Sequence, residues 1–234
     1  MNVLAFDTCL SAVSVAVRWR DANGDWSVRE AYEARSAGHA ERLMPMLATV
    51  MEEAGLAFSD IARIAVTVGP GSFTGVRIGV AAARALVLAT GAEAVGATSL
   101  AVMAHRARLL LGAALGGRLL AVAVDARRGM VYLEVAGGPE GAPAGPRLLS
   151  PTQAAACIGP GPAVVVGSGA GPVAAAVAEA GGQAEALLAD LQPHAGALAR
   201  MAQDLVPARP LEPLYLRQPD VRPQDDKTLP RAQP

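Results

Sequence analysis

The chain has 234 residues, enough for one large core or two lobes of roughly 100 residues each. With 52% hydrophobic and only 3% aromatic residues, its apolar mass is Ala, Val and Leu, which suits helices packed closely on strands. A net charge of −1, a sequence pI of 6.3 and no basic run exclude a strong nucleic-acid surface of its own, because phosphate neutralisation dominates that affinity. Any nucleic acid is then held by a partner.

The opening "MNVLAFDTCL" lacks a basic start followed by a long apolar stretch, and no uninterrupted apolar run reaches the ~18 residues of a membrane span, so a cytoplasmic protein is expected. Cys9 and Cys157 stand far apart without a CxxC partner and read as reduced thiols. Two strand-like runs, "VLAFD" and "AVSVAVRW", flank a short turn and leave Asp7 at the end of the first. Next, "GHAERLMPMLATVMEEAG" sets Leu43, Met46, Leu47, Val50 and Met51 at helical spacing. Pro45 either bends this helix or marks its first turn, having no amide donor. A strand "RIAVTV", the glycine loop "GPGSFTG" and a helix over residues 74–90 follow, with Gly91 as its stop.

The second half plays the same order. "RLLAVAVDARRGMVYLEVA" gives two strands with Asp125 at the end of the first. "SPTQAAACI" starts a helix with Ser150 as N-cap, Pro151 at its first position and Gln153 completing a capping box. A strand "AVVVG", a second glycine loop with Gly167 and Gly169, and a helix "PVAAAVAEAG" close the repeat. Such a duplication predicts two similar α/β lobes whose paired acids and glycine turns face one cleft, the architecture of the actin-like ATPases and sugar kinases. The expected division is an N lobe over 1–100, a C lobe over 101–193, a last helix over about 194–205 joining the N lobe, and a Pro-rich, mobile tail over 206–234. Cutting the tail after Arg217 is expected to leave melting almost unchanged.

The glycine loop is no Walker loop, because no GK[ST] follows, and no dinucleotide fingerprint, because Gly69, Gly71 and Gly75 are spaced one residue too long and Pro70 lacks a donor. By loop chemistry alone, a tight turn that lays the helix on its sheet outweighs an anion site. On that helix Gly75, Gly79, Ala82 and Leu86 form one stripe, and Val76, Val80, Ala83 and Val87 a second. One faces the sheet, and the other needs a cover, for which the chain's own first helix is the natural candidate.

"MNVLAFDTCLSAVSVAV", "GPGSFTGVRIGVAAARAL", "VGATSL", "VDARRGMVY" and "EPLYLR", in order over residues 1–217, resemble the TsaB family, also called YeaZ. The resemblance implies a duplicated α/β actin-like ATPase fold of the sugar kinase and Hsp70 type. It also implies a non-catalytic, activating role in threonylcarbamoylation of the adenosine beside the anticodon of tRNAs reading ANN codons. The implied partners are the catalytic paralogue TsaD, the ATPase TsaE, tRNA held through the complex, and a second copy when the chain is alone. A four-helix bundle with the paralogue would use Leu43, Met46, Leu47, Met51, Val76, Gly79, Val80 and Ala83.

The catalytic relative holds its metal with an HxxxH pair, and the matching positions here are Ser99 and Met103, so no metal is expected. His105 is close but alone, and His39 and His194 lie in other elements, with His39 expected to cap a helix or sit at the surface. Asp7, Gly69, Gly71, Ser72, Asp125, Gly167 and Gly169 remain as a vestigial nucleotide site, with weak ATP or ADP binding at the partner interface and no intrinsic cofactor. The alternatives are an active ATP-dependent phosphotransferase of the same fold and a metalloprotease. The missing histidine pair argues against the protease.

Overall fold

The computed structural model describes residues 1–136, 145–208 and 210–217. Val3–Asp7 (β1), Ala12–Arg20 (β2), Trp26–Ala34 (β3), Arg63–Thr67 (β4) and Glu93–Ala97 (β5) build one sheet in the order β3-β2-β1-β4-β5. Leu119–Asp125 (β6), Val131–Ala136 (β7), Arg147–Leu149 (β8), Pro162–Val166 (β9) and Gln183–Leu187 (β10) build a second in the order β10-β9-β6-β7-β8. In each, the first strand pairs antiparallel with the next and parallel with the strand that precedes the glycine loop. This is the duplicated two-lobe arrangement of the actin-like ATPases.

β1 is buried along its whole length, and its alternation sorts two cores. Leu4 and Phe6 pack with His39–Ala54 (α1) and Phe73–Thr90 (α2), whereas Val3 and Ala5 pack with Ala195–Met201 (α6). Ser99–Leu111 (α3) straddles the lobes. Its Val102 joins the α6 core, and Leu100, Met103, Ala104 and Ala107 pack on β6 and β9. Pro151–Ile158 (α4) starts with the expected capping box, Ser150 Oγ accepting from Gln153 N at 3.2 Å and Gln153 Oε1 from Ser150 N at 2.9 Å. Gly91 ends α2 in the left-handed region, as expected. Ala170–Glu179 (α5) follows the second glycine loop.

Pro45 sits inside α1, beyond its first turn and on its exposed side. One expectation changes. Residues 210–217, the C-terminal strap, are packed and not a free tail, because Leu211 is 4% exposed in the N-lobe core. Residues 206–208 also belong to the expected tail, with Val206 exposed and Ala208 N donating to the Ala94 carbonyl at 2.9 Å, whereas 209, 218–234 and the cut after Arg217 lie outside the described residues.

Candidate partner face and interlobe cleft

The glycine loop lies backbone on backbone over the β1–β2 turn. Ser72 N donates to the Cys9 carbonyl at 2.8 Å, and Thr8 Oγ1 donates to the Gly75 carbonyl at 2.7 Å. A Cβ on Gly71 would overlap the Cys9 carbonyl, and one on Gly75 would overlap that of Thr8. Side-chain-free positions are needed here for close approach. Gly69 abuts the strap, a Cβ falling 2.6 Å from the Leu214 carbonyl. The second loop repeats the device, with Gly169 N donating to the Ala123 carbonyl at 2.9 Å and a Cβ on Gly167 falling 2.5 Å from the same oxygen.

Asp7 is closed in beneath the first loop. It is fully buried, its Oδ1 accepts from the Thr67 hydroxyl and from Cys9 N, and its Oδ2 has no partner. Burial pushes its pKa up to about 6, against the lowering effect of those hydrogen bonds. Burial and the neighbouring Asp7 likewise push the Cys9 thiol up, and that thiol donates to Thr67 Oγ1 at 3.2 Å. An interlobe cleft of about 720 Å³ is lined by Gly71, Ser72, Asp125, Arg127 and Tyr215 among others, but not by Asp7. Of the seven residues expected for a nucleotide, Gly71, Ser72 and Asp125 thus reach the cleft. Gly69, Gly167 and Gly169 serve backbone packing, and Asp7 does not line the cleft.

A buried acid with a raised pKa weakens the fold when it ionises. The folded chain binds more protons than the unfolded chain between 3.8 and about 6, so this contribution to stability is lost as pH rises through that window and stays lost above it. The gap corresponds to about 3 kcal/mol at neutral pH. Asp7→Asn is therefore expected to raise the urea midpoint at about pH 8, with the gain shrinking towards about pH 4. Equal midpoints at the higher pH would show that Asp7 ionises without penalty.

The proposed interface residues are not at the surface. Leu43, Met46, Leu47, Met51, Val76, Gly79, Val80 and Ala83 are all buried within the N lobe, where α1 and α2 cover β1, β2 and β4. Gly79 shows why: a Cβ there would meet Thr8 Oγ1 at 2.8 Å and Val66 at 3.2 Å. Inward positions of α2 draw on both predicted stripes, so the free face is turned further out. It carries Ala81, Ala85, Leu88 and Ala89 on α2, with Arg77 and Arg84 along its edge reaching the Tyr215 hydroxyl and the Leu211 carbonyl, and Met44 and Ala48 on α1. Leu88 is 88% and Met44 49% exposed. α2 is long and apolar enough to cross a membrane by length and composition alone, with mean hydropathy 1.4, and only 28% of that stretch is buried.

Ser99 and Met103, at the positions of the catalytic relative's histidines, are fully buried. Ser99 Oγ donates to the Pro70 carbonyl at 2.5 Å. Among the described residues no group of three His, Cys, Asp or Glu is placed to hold a metal. His39 is buried rather than a cap or a surface group, its Nε2 lying 2.9 Å from the Leu10 carbonyl, while Gly38 caps α1. His194 caps α6, accepting from Gly196 N at 3.3 Å. His105 is half-buried, and desolvation and nearby arginines hold its pKa below the usual imidazole value.

A family model of tRNA N6-adenosine threonylcarbamoyltransferase, TsaD, matches residues 33–142. TsaB of Escherichia coli, a tRNA threonylcarbamoyladenosine biosynthesis protein, is 39% identical over 132 residues, 56% of this chain and about half (53%) of that protein. An uncharacterised protein of Mycobacterium tuberculosis is 35% identical over 227 residues, 95% of this chain and 94% of its own. The solved structure of YeaZ from Pseudomonas aeruginosa superposes with a TM-score of 0.73 at 31% identity, over 92% of this chain and 99% of that one. The chain belongs to the TsaB/YeaZ family. In this TsaB-type chain the site residues that sequence reasoning missed are those of the strap, Tyr215 and Arg217, and of the cleft wall, Arg127 and Tyr132. "EPLYLR" carries the signal, but the prolines around it point to a mobile end.

Proposed function

We propose that this chain is a non-catalytic, activating subunit for threonylcarbamoyl transfer to tRNA, and that it docks the TsaD-type transferase on the outer face of α1 and α2. The observation that carries this reading is the apolar α2 face left uncovered around Leu88. A helix that is apolar well beyond the face its own lobe covers calls for a second cover. The two solvent-side helices of each subunit then close as a four-helix bundle. Burial of Asp7 and the Ser99 and Met103 side chains supports a subunit without its own metal or phosphoryl chemistry over a phosphotransferase. In this reading tRNA and the TsaE-type ATPase meet the complex in the cytoplasm. ATP or ADP, where bound, sits at the subunit interface and not under the glycine loop.

The test is co-purification with the paralogue, followed by tRNA modification with and without this chain. Modification that proceeds equally well without it would overturn the reading, and so would nucleotide turnover by the isolated chain.

A further inference from the structure

Among the described residues the chain passes between the lobes three times: at Thr98 ahead of α3, through residues 188–194 between β10 and α6, and along the strap. The third passage is built differently from the first two, because it is anchored at one end and clasped at the other. In the N lobe, Leu211 is buried, Arg84 Nε donates to its carbonyl at 2.8 Å, and Leu214 N donates to the Val68 carbonyl at 2.7 Å. Midway, the Tyr215 hydroxyl accepts from Arg77 Nε at 2.8 Å, and its ring lies 5.2 Å from that of Phe73 on the first turn of α2. At the far end, Arg217 Nη1 donates to the Ala126 carbonyl at 2.8 Å and Nη2 reaches the Arg127 carbonyl at 3.5 Å.

The clasped turn joins β6 to β7. Arg127 and Arg128 hold φ of 64° and 55° there, in the left-handed region that side chains disfavour. Such a conformation persists only where its surroundings over-determine it. The Arg217 guanidinium supplies part of that determination, as charge-assisted hydrogen bonds to two carbonyls of the turn. Strap and turn both line the cleft, through Leu214, Tyr215, Leu216 and Arg217 on one side and Asp125, Ala126 and Arg127 on the other.

We propose that residues 211–217 form a latch across the interlobe cleft, anchored in the N lobe through Leu211 and Leu214 and closed on the C lobe through Arg217. Releasing the clasp opens the cleft and leaves both lobes folded, because their cores and the other two passages are untouched. This requires no partner and stands apart from the proposed docking face.

The experiment uses the full chain with Cys157→Ser and spin labels on Ala81→Cys and Glu179→Cys, both exposed and one in each lobe. Cys9 is fully buried and out of the label's reach. Interlobe distances are measured with Arg217 intact and with Arg217→Ala. The latch predicts a broader, longer distance distribution in Arg217→Ala and about tenfold faster exchange of the Met130 amide, which closes the clasped turn on the Arg127 carbonyl. Unchanged distances and exchange would overturn it. Cooperative unfolding of Arg217→Ala would overturn it equally, since a latch is dispensable for lobe folding. Arg217→Lys, which keeps one charged donor, should give intermediate exchange.

Discussion

Replacing Gly75 with alanine should destabilise the protein by about 3 kcal/mol or more, far beyond an ordinary helix substitution. In an unconstrained helix the same change would help, because alanine exceeds glycine in helix propensity by about 1 kcal/mol. Here the new methyl group would occupy the place of the Thr8 carbonyl and press on Ser72 Oγ, the cap of α2. Neither is the far end of a flexible chain, so the turn after β1 and the start of α2 must part. At about 2–4 °C per kcal/mol for a chain of this size, the melting temperature should fall by roughly 6–12 °C. Gly171→Ala is the control, since a Cβ at that position of α5 meets nothing within 4 Å. It should be neutral or slightly stabilising. A Gly75→Ala chain that melts with the parent would remove the close-approach account of the loop.

Leu88→Glu and Ala85→Glu should leave the isolated chain with its circular dichroism and melting temperature, yet weaken binding of the TsaD-type transferase by about 30-fold or more each. Both residues are exposed in the free chain, so the charge costs nothing until a partner covers it. A desolvated, unpaired carboxylate at the centre of an interface costs at least about 2 kcal/mol, which is the origin of that factor. Leu47→Glu and Val80→Glu are the contrasting pair. With relative exposures of 0% and 2%, they should unfold the N lobe and report nothing about docking. Unchanged affinity in both outer-face variants would place the interface elsewhere.

The duplication was legible because its punctuation is local. An acid at a strand end, a return strand, and a glycine loop before a helix repeat in fixed order, and Ser150 with Gln153 forms its capping box wherever the surrounding core lies. The facing of α2 was not legible, since Arg77 and Arg84 mark one outward direction but Ala, Val, Leu and Gly fill the rest of the helix, and hydropathy alone does not tell which apolar stripe meets the sheet. The discriminating signal was volume. Gly75 and Gly79 stand where backbone and Thr8 come closest, so they mark the inward face. β3 was missed because it is an edge strand with charged and exposed positions along both faces, which blurs the alternation. The fate of Asp7 depends on how closely one backbone approaches another, and no side chain in the sequence announces it.

That closure sets a limit on what substitution can open. Asp7 is enclosed where two positions carry no side chain, so the seal rests on absent bulk and not on an added cover. Any residue placed at Gly71 or Gly75 to lift the loop and readmit water to Asp7 would also unseat the first turn of α2, and with it the face that presents Leu88. Access to Asp7 and the position of α2 therefore depend on one backbone path.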